Sequence, residues 1–241
     1  MKQTYFLSII PIVMGLVLAY LFPLDEALPI TIFWIFLTYL LLRVFFRGEV
    51  NVINTYNGKS KWAILASYMS VHYVLYSIAL ETLLTYLFRP VIYPQSSFVG
   101  FFTTPFGESR SFANLGLSLV FNPTITIFIS PNFAIDLSLY SIVFGLLISI
   151  LVTSILISIL SINGKQKYII LVPLLGLIAG ASCCVSIPIL LAESVELANI
   201  VFISTTSWQA LFIAYISLPI ITVIFLKHLS NSLIRLRAKI N

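Results

Sequence analysis

Leu117-Ser-Leu-Val-Phe121 and Thr124-Ile-Thr-Ile-Phe128-Ile129, joined by Asn122-Pro123, decide how often this chain crosses a membrane. Read as one helix, residues 112–130 add an apolar span; read as two short arms about a turn, they stay outside the bilayer. The Thr/Ile alternation has a period of two and is rich in β-branched residues, which predicts an extended hairpin over 116–130. Charge supplies a second argument, because cytoplasmic connections carry the excess of Lys and Arg. With six spans and the amino terminus inside, the inner side holds Lys2, Arg43, Arg47, Lys59, Lys61, Lys165, Lys167, Lys227, Arg235, Arg237 and Lys239, which is 11 of the 13 basic residues. The outer side keeps Arg89 and Arg110 beside Asp25, Glu26, Glu108, Asp136, Glu193 and Glu196. A seventh span at 112–130 would carry Lys165, Lys167 and the basic tail outside, and is rejected on that ground.

Composition makes lipid the solvent of this argument. The chain is 60% hydrophobic and 9% charged, with a mean hydropathy of +1.07, whereas soluble domains are roughly 45–50% apolar and about 25% charged. The expected fold is an all-α membrane protein, a single integral domain over 1–241 with about six transmembrane helices, at 5–22, 28–46, 62–88, 137–160, 168–191 and 208–226. The third of these would be about 40 Å long against a hydrocarbon core of roughly 30 Å, so it tilts or protrudes. A polar loop with a turn at Asn57-Gly58 covers 48–61. The outer loop 89–136 is long and rich in phenylalanine, the kind of connection that is structured or functional. In the inner basic tail 227–241, Leu229, Leu233, Leu236 and Ile240 recur at helical spacing, which fits an amphipathic surface helix as well as a frayed end.

The net charge of +5 is scattered at the ends of apolar runs, so it marks topology and not a nucleic-acid partner. The expected partners are the lipid bilayer and other membrane subunits or further copies of this chain. The expected location is the cell membrane, with both termini cytoplasmic.

Chemistry concentrates in Gly176-Leu-Ile-Ala-Gly180-Ala-Ser-Cys183-Cys184-Val-Ser-Ile-Pro188, which holds both cysteines of the chain. A bond between adjacent cysteines closes a strained ring, so Cys183 and Cys184 are expected as free thiols or ligands. Vicinal thiols suit soft ions such as Cu(I) or Hg(II). The competing expectation is packing: Gly176, Gly180 and Cys184 repeat every fourth residue, the spacing of a close helix–helix face. Pro173 and Pro188 bracket the segment and kink or interrupt the helix.

The run Gly180-Ala-Ser-Cys183-Cys184-Val-Ser-Ile-Pro188 resembles the cysteine-pair helix of bacterial mercuric ion transport proteins. The resemblance covers this stretch alone and implies that Cys183 and Cys184 pass a soft metal across the membrane.

His72 and Glu81 are the ionisable side chains inside the predicted third span, and such groups are functional candidates because lipid penalises them. Nine residues apart, they fall on opposite faces of a helix and form no relay pair. Their bland roles are a neutral histidine hydrogen-bonded across helices and a protonated or paired carboxyl. No P-loop, His-Glu-x-x-His, nucleophile elbow or dinucleotide fingerprint occurs, so no catalytic residue is assigned. A non-catalytic subunit or scaffold of a membrane complex leads, soft-metal handling follows, and a redox or quinone enzyme using His72 or Glu81 comes last.

Overall fold

The computed structural model describes residues 2–22, 25–56, 60–75, 97–103, 112–129, 133–161 and 205–240. These are mostly helical, with a small three-stranded sheet, and they fall into two units, Met1–Phe46 with Ile92–Val143 and Arg47–Val91 with Phe144–Asn241.

The first unit opens with helices α1 (Lys2–Leu21) and α2 (Ala27–Val44), and between them the Asp25 amide donates to the Phe22 carbonyl at 3.2 Å. They pack on each other at Gly15, where an added Cβ would stand 2.8 Å from the Pro29 carbonyl oxygen and 3.1 Å from Phe33. Pro29 is tolerated because it sits in the first turn of α2, where amides have no helical acceptor. Thr31 and Thr38 return their hydroxyls to the carbonyls of Ala27 and Trp34, each at 2.7 Å, which satisfies them without water.

The decisive stretch divides differently from the predicted hairpin. Its first arm is helical, as α5 (Phe112–Phe121), which follows α3 (Arg47–Thr55) and α4 (Ser60–Ser70) of the second unit in chain order. Its second arm is strand β2 (Thr124–Ile129) at the centre of an antiparallel sheet, between β1 (Phe98–Phe102) and β3 (Phe133–Ser138). Phe101 pairs with Ile125 and Thr126 with Asp136, so β2 and β3 form a hairpin whose two arms are not those the alternation predicts. The reason is length. Alternation over Leu117–Val120 is too short to outweigh helical bonding, which here runs on to the Asn122 amide donating to the Ser118 carbonyl at 2.8 Å. The Asn122–Pro123 bond is cis. Ten residues of α5 span about 15 Å, half a hydrocarbon core, so 112–130 is no membrane-crossing helix.

β3 runs directly into α6 (Leu139–Ser161), whose start is capped by Ser138: its Oγ accepts the Ser141 amide at 3.2 Å.

The second unit begins with α3 (Arg47–Thr55), where the sequence predicts a polar loop. Glu49, Val52 and Ile53 are buried at helical spacing, and that face fixes the helix despite its polar composition. α4 (Ser60–Ser70) follows and passes into a π-helical turn, Val71–Leu75. The rest of the predicted third span, and all of the predicted fifth, lie outside the described residues. α7 (Thr205–Ile240) is one 36-residue helix, so the basic tail is neither frayed nor hinged away from the sixth predicted span.

Three described helices are long and apolar enough to cross a membrane, along Ala27–Val44, Leu139–Leu160 and Ile216–Arg235. The apolar part of α1, Ser8–Leu21, is shorter. Burial separates the three: 72% of the most apolar part of α6 is buried, against 22% for α2 and α7. A helix apolar all round belongs in a core, whereas α2 and α7 turn Ile35, Ile221 and Ile224 outward, a surface that suits lipid.

Candidate functional site

His72 sits in the π-helical turn, a winding often found at functional sites. Its side chain is 0% exposed, and neither ring nitrogen has a hydrogen-bond partner among the described residues. The ring stacks on Tyr68 at 5.8 Å and meets Tyr73 edge-on at 5.2 Å. Tyr73 in turn fills the space over Gly145 of α6, where a Cβ would collide with its hydroxyl and ring. Gly145 is therefore the residue that lets the π turn approach α6.

From that point α6 carries buried hydroxyls. Ser149 donates to the Gly145 carbonyl at 2.7 Å, whereas the hydroxyls of Thr153 and Ser154 have no partner among the described residues. Imidazole, phenol and hydroxyl are donors and acceptors, so the described residues of this region offer hydrogen bonds. Among the described residues, no three His, Cys, Asp or Glu side chains group as metal ligands do.

No family model, curated protein or solved structure matches this chain. Of the candidates in the sequence, His72 alone falls in the described residues; Glu81, Cys183 and Cys184 lie outside them, and the structure adds nothing to the resemblance to mercuric ion transport proteins.

Two polar pairs fix the units and are not foreseen from composition. In the second unit Lys227 Nζ lies 2.7 and 2.6 Å from the two carboxylate oxygens of Glu49, whose side chain is 0% exposed. In the first, Asn122 Nδ2 donates to Glu26 Oε1, both groups being buried, just before α2 begins. The available signal was sequence context: Glu49 is the lone acid between Arg43 and Lys61, and a buried acid needs a partner.

Proposed function

We propose that this chain crosses the cell membrane six times, with both termini on the cytoplasmic side, and serves as a non-catalytic integral subunit or scaffold of a larger membrane complex. Parity supports the two crossings that the described helices do not supply, along 62–88 and 168–191. Glu26 precedes α2 and Asn122 follows it, yet the two are bonded, so a chain that crosses along α2 must cross back before Phe112. The stretch able to do so is the predicted span 62–88. With the crossing along α7 taken as the predicted span 208–226, Glu49 and Lys227 are likewise on one side, and between them the chain crosses along 62–88, α6 and α7. Three crossings cannot restore the side. A fourth is needed between Ser161 and Thr205, where 168–191 is the apolar candidate.

The subunit role is carried by β1. Val99 and Phe101 lie on one face of this strand and are 73% and 62% exposed, apolar surface of the kind that marks contact with another molecule. Purification from native membranes in mild detergent tests it: companion chains in fixed proportion are expected, and a lone chain or homo-oligomer would overturn it. Soft-metal transport through Cys183 and Cys184 is separated by vesicle uptake of Hg(II) or Cu(I), which the double Cys→Ser variant abolishes only if the thiols are ligands.

A further inference from the structure

Along α7, Ile221, Phe225, His228, Ser232 and Arg235 fall within about 40° of one line, at 100° per residue. All five are exposed, but the chemistry changes along the line. Ile221 and Phe225 suit lipid; His228, Ser232 and Arg235, with Asn231 beside them, suit water. The predicted sixth span ends at 226, so on this face the hydrocarbon boundary is set between Phe225 and His228, and the remainder of the stretch Ile216–Arg235 lies beyond it.

From there the helix continues without a break to Ile240. At 1.5 Å per residue Arg235 stands about 15 Å beyond Phe225 and Lys239 about 21 Å, whereas headgroups occupy only about 5–8 Å on each side of the hydrocarbon. Arg235 is past the lipid phosphates. Nor can the extension lie down on the bilayer, because its other side is taken: Ser230 is buried, Lys227 holds Glu49, and Ile234 comes within 3.9 Å of a Cβ placed on Gly48. The described exposed positions beyond Phe225 include no apolar residue to insert.

Charge names the occupant. The stretches 47–61 and 227–240 contain Arg47, Lys59, Lys61, Lys227, Arg235, Arg237 and Lys239 against a single acid, Glu49, and both oxygens of that acid are held by Lys227. We propose that the polar face of α7 through His228, Ser232 and Arg235, continued by Lys239 in sequence, docks an acidic polypeptide segment of a companion chain. This rests on the subunit reading.

The test reverses charge on the full chain with Arg235→Glu and Lys239→Glu, with Arg235→Gln as a milder variant and size-exclusion profiles to confirm folding. Wild type purified in mild detergent is expected to retain its companion and lose it as salt rises; the reversed variant retains at least tenfold less, and Arg235→Gln an intermediate amount. A labelled ten-residue polyglutamate peptide should bind wild type in zwitterionic nanodiscs and bind the reversed variant at least tenfold more weakly. A companion retained by a folded reversed variant overturns the docking face and leaves the subunit reading intact. Absence of any companion from wild type overturns the subunit reading instead, and the docking face with it. Failure of the peptide to bind, with basic-face protection appearing only in nanodiscs of anionic lipid, replaces the polypeptide by lipid and overturns the proposal.

Discussion

The indole of Trp34 donates to the backbone carbonyl of Leu119 at 2.9 Å. In a continuing helix that carbonyl would take the amide of residue 123, but Pro123 has none to give. Trp34, one helix away, supplies the donor that ends α5. Trp34→Phe keeps the aromatic packing on Tyr140 at 5.8 Å while removing the N–H. The expected loss is about 1 kcal/mol, the low end for leaving a polar group unsatisfied, because this bond is only part-buried. Denaturant titration in micelles checks it; an unchanged midpoint would show that the bond contributes nothing net.

Gly15 and Gly116 make a matched pair. Gly15→Ala puts a methyl against the Pro29 carbonyl and should destabilise by about 1–3 kcal/mol as α1 and α2 are pushed apart. Gly116→Ala meets nothing within 4 Å and should stabilise α5 by up to about 1 kcal/mol. Thermal melts of the two variants should move in opposite directions.

Lys227→Met strands the Glu49 carboxylate in a site with 0% side-chain exposure. Losing one partner of a buried pair costs about 3–5 kcal/mol, and the 25% exposure of Lys227 places the expectation at the lower end. Adding Glu49→Leu should recover most of it, since an apolar pair needs no counter-ion. A double-mutant cycle in which the two changes merely add would deny the coupling.

His72→Phe should be neutral or stabilising, because the ring contacts with Tyr68 and Tyr73 remain while two nitrogens that have no partner among the described residues disappear. His72→Ala should cost about 3 kcal/mol or more through the cavity it leaves. If both variants melt equally early, the nitrogens are engaged in a bond essential to the fold.

The six-span topology is checked by labelling in a background lacking the native thiols. Cysteine at Ser97 should react with an impermeant reagent from outside intact cells, and cysteine at Gln166 should react only after permeabilisation. The reverse pattern would invert the orientation.

How far the chain was legible depends on how far each residue's partner lies along it. α2 and α6 were predicted at 28–46 and 137–160 and occur at Ala27–Val44 and Leu139–Ser161, because a long apolar run has one outcome in lipid. β2 was legible from its Thr/Ile alternation. α5 was not, since the Trp34 indole that completes its end is 85 positions away. α3 reads as a loop for the same reason: Glu49 looks like a solvated acid until Lys227 is brought to it. At the candidate site, the sequence marks His72 as an intramembrane polar group, but not the π turn, which depends on the close approach at Gly145.

The Glu49–Lys227 pair also sets an order of events during synthesis. Its members are 178 positions apart, so at roughly 5–20 residues per second the ribosome takes about 10–35 seconds to deliver the ammonium after the carboxylate has emerged. Until then α3 carries a charge it cannot bury, and its docked form is withheld. Closure of this helix against α7 is thus a late step of biogenesis, and until residue 227 is made the nascent chain carries α3 with Glu49 lacking the ammonium that holds it in the folded protein.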